Sequence, residues 1–95
     1  MHKTFSDKTR TMMLVASNGY CQCSKNCTKL ADQAHHKLSN TKVNQRLYPL
    51  FLQSPFNCAM LNHDCHISKP LPRIRECEVI VYEEYLQDLL QMQKL

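Results

Sequence analysis

Six cysteines and five histidines are concentrated in a chain of 95 residues. A single domain of this length buries only about 60–65% of its unfolded surface. Its thin core commonly needs a metal, disulfides or a partner chain to hold it. The cysteines and histidines are therefore the first candidates for that task. The opening residues Met1–Asp7 do not read as a secretory signal, and the apolar run Thr11–Ala16 is too short and too late to be one. An intracellular setting with reduced thiols is expected, which favours metal ligation over disulfides. No stretch reaches the roughly 18–20 apolar residues of a membrane span, so no membrane partner is expected. The single glycine excludes a glycine-rich phosphate loop.

One domain over residues 1–95 is expected, without repeats or low-complexity tracts. The spacing predicts an N-terminal helix over 5–18, capped by Ser6 or Thr4 and ended by Asn18-Gly19, with Met12, Met13, Leu14 and Val15 as core candidates. Residues 20–36 hold a tight cysteine knuckle (Cys21, Cys23, Cys27) and then a run ending in His35-His36. Residues 37–56 read as a long loop, with room for one short helix between positions limited by Pro49 and Pro55. Residues 57–69 read as a short strand passing into a helix. After Pro70 and Pro72, a longer helix is predicted over 73–94, with Ile74, Cys77, Val81, Tyr85, Leu89 and Met92 recurring at steps of three and four. The run Val79–Tyr82 also suits a strand.

Charge is unevenly placed. Residues 1–75 carry eleven Lys/Arg against three Asp/Glu, whereas residues 76–95 carry one Lys against five acids. A basic body that also holds nearly all the cysteines and histidines suits a polyanionic partner.

The most informative set, in chain order, is His35-His36, Asn57 and Cys65-His66. The fragment Asn57-x3-Leu61-x3-Cys65-His66-x2-Lys69, following an upstream His-His, resembles the HNH endonuclease family. That family commonly shows Asn-Leu-x-x-Leu-Cys-x-x-Cys-His-x-x-Lys at this place. The likeness covers about residues 20–70. It implies an α+β fold: a small zinc-stabilised ββα-metal domain over 20–70, flanked by N-terminal and C-terminal helices. It also implies a metal-dependent DNA endonuclease that hydrolyses phosphodiester bonds.

Phosphodiester hydrolysis needs an activated water, a neutralised phosphate and help for the leaving oxygen. A divalent ion serves the last two, and a neutral imidazole titrates near working pH and can take a proton from water. Carried over from the family, His35 is a metal ligand, His36 the general base and His66 a second metal ligand. Asn57 either ligates the metal or hydrogen-bonds the loop that holds His36. Some family members have a further histidine four residues after the last motif histidine. Here that position is Pro70, so an ion with few protein ligands and several waters is expected. This suits Mg²⁺ or Mn²⁺, although imidazoles also admit Ni²⁺ or Zn²⁺.

Many family members carry a separate structural zinc on two Cys-x-x-Cys pairs. Here Asn62 stands where the second pair would have its first cysteine, while the upstream knuckle has three thiols. Three plus Cys65 restores the four ligands that tetrahedral zinc takes. The expected structural zinc site is Cys21, Cys23, Cys27 and Cys65, with His63 as a substitute should one thiol be free. Cys58 and Cys77 read as core residues.

Lys37, Lys42, Arg46, Lys69, Arg73 and Arg75 are the expected DNA-binding residues, contacting phosphates rather than bases. The expected partner is duplex DNA bound with weak sequence specificity. Tyr82, Leu86, Leu90 and Leu95 give the last helix further apolar surface for packing on the body or in a homodimer. Small free-standing proteins of this family occur in bacteria and phages, which implies the cytoplasm of a bacterial or phage-infected cell. Two other readings fit the same residues: a non-catalytic zinc-stabilised DNA-binding module, and an accessory protein of a larger DNA-processing machine.

Overall fold

A computed structural model describes residues 4–68 and 70–94. The chain is α+β, with one two-stranded sheet and four helices among the described residues. In order these are α1 (Asp7–Ala16), β1 (Gln33–His36), α2 (Lys42–Leu47), a 3₁₀ turn (Pro55–Asn57), β2 (Cys58–Leu61), α3 (His63–Ser68) and α4 (Glu76–Gln93). The predicted Lys69 and Leu95 roles fall outside the described residues. None of the described helices is long and apolar enough to cross a membrane.

Ser6 caps α1 by accepting the Thr9 backbone N–H, and the helix ends where Asn18 and Gly19 turn to positive φ (56° and 81°), a conformation these two residue types adopt cheaply. The apolar run inside α1 behaves differently from expectation. Met12, Leu14 and Val15 are exposed and only Met13 is half-buried. The buried contacts at this end come from Phe5 and Thr9, because the face turned to the sheet is set by the i, i+4, i+8 spacing of Phe5, Thr9 and Met13.

β1 and β2 pair antiparallel, with His35 opposite Ala59 and His36 opposite Cys58. Side chains alternate across the sheet. One face sends Cys58 and Met60 against Phe5 and Met13. The other sends Leu61 against Cys21, Cys65 and Leu71. Residues 20–30 form the knuckle, closed by the Cys21 N–H donating to the Lys29 carbonyl at 2.8 Å. The knuckle docks on the free edge of β2 through Gln22, whose N–H donates to the Met60 carbonyl (2.8 Å) and whose Oε1 accepts the Met60 N–H (2.7 Å). The stretch read as a loop over 37–56 contains α2, capped by Thr41, which accepts the Asn44 N–H.

Val79–Tyr82 is helical, part of α4. The face α4 turns to the body is not the stripe of Cys77, Val81, Tyr85 and Met92 but the side that carries Tyr82 and Leu86, two residues also named for packing on the body. Val79 and Glu83 are buried, Tyr82 and Leu86 half-buried, while Cys77, Val81, Tyr85 and Met92 are exposed. The reason is a polar anchor that hydrophobic periodicity cannot register. Glu83 Oε1 accepts the Leu50 and Phe51 backbone N–H groups at 3.0 and 2.8 Å, and the Tyr82 ring stacks on Phe56 at 4.5 Å. Cys77 is therefore a surface residue, whereas Cys58 is buried in the core.

Candidate functional site

Two groups of side chains meet at α3, from adjacent residues. Cys65 points to the knuckle and His66 to β1. The helix start is fixed by Asn62 and Asp32: Asn62 Oδ1 accepts the Asp64 N–H at 3.0 Å, and Asp32 Oδ1 accepts the His63 N–H at 2.9 Å. Asn62 also donates to the Leu30 carbonyl (2.9 Å), tying the helix start to the end of the knuckle.

Cys21, Cys23, Cys27 and Cys65 form one cluster, with all four Sγ atoms within 4.8 Å of one another. Four thiolates on a tetrahedral ion with bonds of about 2.3 Å lie about 3.8 Å apart, and Cys27 and Cys65 are already at 3.9 Å. The cluster could therefore hold a structural metal such as zinc. The local electrostatics differ from thiol to thiol. The Lys29 backbone hydrogen bond brings the Cys27 thiol down to about 7, whereas burial, followed by hydrogen bonds from the other cysteines, pushes Cys65 up to about 12. Burial also raises Cys23. A thiol held high by burial ionises when a cation takes its charge. His63 stands apart from the cluster. It is exposed, and its Nδ1 lies 3.1 Å from Gln33 Nε2.

The structure brings His35 and His66 together, one from β1 and one from α3, with ring centroids 5.2 Å apart and planes tilted by 59°. Two imidazoles bonded to one ion at about 2.1 Å, with 90–109° between the bonds, have centroids roughly 4.5–5.2 Å apart. Burial first, then the neighbouring His66, lowers the His35 pKa.

His36 follows β-strand alternation to the opposite face. Its ring stacks on Phe5 at 4.0 Å with 17° between planes, and its Nε2 lies 3.3 Å from Gln53 Oε1. Burial lowers the His36 pKa, partly opposed by Gln53. Both histidines of the pair border a cleft of about 260 Å³, lined also by Lys37, Leu38, Leu71 and Arg73.

Asn57 is fully buried. Its Oδ1 accepts the Leu38 N–H at 2.6 Å, and its Nδ2 donates to the Leu38 and Leu52 carbonyls at 3.2 and 2.9 Å. Of the two roles open to Asn57, this network matches bracing of the loop after His36, because the side-chain oxygen is already engaged. Lys42 and Arg46 lie exposed on α2, and Arg73 is exposed at the cleft. Arg75 instead directs Nε and Nη2 to Glu78 Oε1 at 2.9 and 2.7 Å, so its charge is partly taken up within the chain. Sequence reasoning passed over Phe5, Gln53 and Leu71. Each contacts a site residue from a segment that carries no motif.

No protein-family model matches this chain, and no significantly similar curated protein or solved structure was found.

Proposed function

We propose that this protein is a metal-dependent DNA endonuclease of the HNH, or ββα-metal, class. The observation that carries the reading is the approach of His35 and His66, from a strand and the helix after its partner strand, to a distance that suits one ion beside a cleft bordered by His36, Lys37 and Arg73. A divalent ion held by His35 and His66, with Mg²⁺ or Mn²⁺ foremost and Ni²⁺ or Zn²⁺ as alternatives, would neutralise phosphate charge and stabilise the leaving oxygen.

The chain's own residues supply the rest. Burial lowers the His36 pKa and so favours the neutral imidazole, the form that can take a proton from water. The Phe5 stack and Gln53 fix the plane of that ring. Asn57 sets the backbone at Leu38, two residues beyond His36. Lys37 and Arg73 bind phosphates of duplex DNA without reading bases, with Lys42 and Arg46 on α2 extending the basic surface. A zinc ion on Cys21, Cys23, Cys27 and Cys65 has a structural role, joining the knuckle to α3.

The test is a cleavage panel of supercoiled, linear, single-stranded and branched DNA with Mg²⁺, Mn²⁺, Ni²⁺ or Zn²⁺. Nicking or cleavage of duplex forms with at least one ion is expected. Salt-dependent DNA binding with no cleavage under any condition would favour a non-catalytic binding module instead.

A further inference from the structure

A chain of side-chain amides runs from the His36 ring to α2, through residues that belong to no motif. His36 Nε2 lies 3.3 Å from Gln53 Oε1. Gln53 Nε2 donates to Asn40 Oδ1 at 3.4 Å, and Gln45 Nε2, on α2, donates to the same oxygen at 3.1 Å. All three amides are half-buried. Each end of the chain is held in place. Gln53 lies between the buried Leu52 and Ser54, and the Leu52 carbonyl accepts Asn57 Nδ2 at 2.9 Å. Asn40 lies in the turn between β1 and α2, where Asn57 grips Leu38 and Asn44 Nδ2 donates to the Ser39 carbonyl at 2.8 Å. At Asn40 Oδ1, the side chain that faces His36 is joined to the helix that carries Lys42 and Arg46.

We infer that Asn40 is a positioning residue for His36: by accepting both glutamine amides, it holds Gln53 against the His36 ring and ties that ring to α2. Asn40 acts through Gln53. The Phe5 stack fixes the plane of the ring, and the contact at the ring's edge fixes where its nitrogens lie within that plane. A general base must keep its nitrogen within hydrogen-bond reach of the water it deprotonates, and a misplacement of about 1 Å can cost a hundredfold in rate. Because the chain of amides ends on α2, the exposed Lys42 and Arg46 and the His36 ring share one frame. This inference rests on the reading of His36 as the general base.

The test uses the full chain loaded with zinc. Plasmid cleavage in Mg²⁺ or Mn²⁺ gives kcat and KM, and NMR follows the carbon-bound His36 ring protons, which the stacked Phe5 ring shifts upfield. Asn40→Ala is expected to lower kcat on the order of tenfold with KM unchanged, and to weaken the upfield shift. Asn40→Asp keeps an oxygen acceptor for both glutamines and is expected to stay near wild type in both. In a double-mutant cycle, Asn40→Ala is expected to add little to Gln53→Ala, because the two act along one path. Wild-type kcat and ring-proton shifts in Asn40→Ala would overturn the role of Asn40. So would full additivity with Gln53→Ala. A wild type without through-space contacts from the Gln53 amide to both the His36 ring and Asn40 would also overturn it, and that measurement needs no variant to fold. His36→Ala separates the two ideas. If it cleaves at the wild-type rate, or if wild type is inert with every ion, the base reading falls and the role of Asn40 with it. If His36→Ala loses cleavage while Asn40→Ala keeps both rate and ring shifts, the role of Asn40 alone falls.

Discussion

The Leu38 backbone N–H donates to Asn57 Oδ1 at 2.6 Å, while Asn57 Nδ2 returns a hydrogen bond to the Leu38 carbonyl at 3.2 Å. One buried amide thus grips both polar groups of the residue two beyond His36. The Lys37 N–H, between them, donates to the Asn57 carbonyl at 2.8 Å. Asn57→Ala strips the partners from the Leu38 N–H and from the Leu38 and Leu52 carbonyls, and is expected to cost about 2–4 kcal/mol. Asn57→Asp keeps the acceptor but loses both donors and sets a carboxylate against two carbonyls, so it is expected to destabilise as well. Chemical denaturation checks both. An unchanged midpoint for Asn57→Ala would remove the bracing role.

The attachment of α4 depends on a carboxylate. Glu83 Oε1 accepts the Leu50 and Phe51 N–H groups, and Oε2 accepts Gln87 Nε2 at 2.6 Å. Glu83→Ala leaves two backbone donors without a partner and is expected to cost about 2–3 kcal/mol. Glu83→Gln retains an acceptor for them and is expected to cost less than half as much. Hydrogen exchange at the Leu50 and Phe51 amides reports the same contacts directly, and should accelerate in Glu83→Ala.

Metal analysis addresses the thiol cluster. About one tightly held zinc per chain is expected, with Cys23→Ser and Cys65→Ser losing zinc and cooperative unfolding together. Cys58→Ser and Cys77→Ser lie outside the cluster and should keep full zinc content. A folded, zinc-free wild type would contradict the assignment.

Acid should weaken the fold through the two strand histidines. Burial lowers the pKa of His35 and His36 in the folded chain, so the unfolded chain binds their protons first as pH falls. Their contribution is therefore fully present above about pH 6.5, the ordinary imidazole value, and is lost as pH drops through the lower folded values. The denaturation midpoint should fall between pH 7 and pH 5, and less steeply in His35→Asn/His36→Asn, which shares the acid sensitivity of the thiols but lacks these imidazoles. Equal slopes would rule out the histidines as the cause.

Sequence pattern was informative where chemistry forces residue type. The four thiols were foreseen as a set because tetrahedral coordination needs four ligands, and Asn62 had already broken the simpler pairing. His35 and His66 were named from the resemblance to the HNH family, and the fold brings their rings together. In α4 a polar contact overrode periodicity. The apolar stripe through Val81, Tyr85 and Met92 faces outward because Glu83 secures α4 through the backbone of Leu50 and Phe51. In α1, the adjacent Met12, Leu14 and Val15 gave apolar content without a face, and Phe5, outside the helix, took the core position.

The most direct measurement compares supercoiled plasmid incubated with zinc-loaded wild type and with His36→Ala, in Mg²⁺, Mn²⁺ or Ni²⁺. Wild type is expected to nick or linearise the plasmid. His36→Ala, with unchanged DNA binding, zinc content and Ni²⁺ affinity, is expected to lose a hundredfold or more of that rate, within the roughly 10²–10⁴ range of a general base. Cleavage by His36→Ala at the wild-type rate, or a wild type inert with every ion, would contradict the nuclease reading.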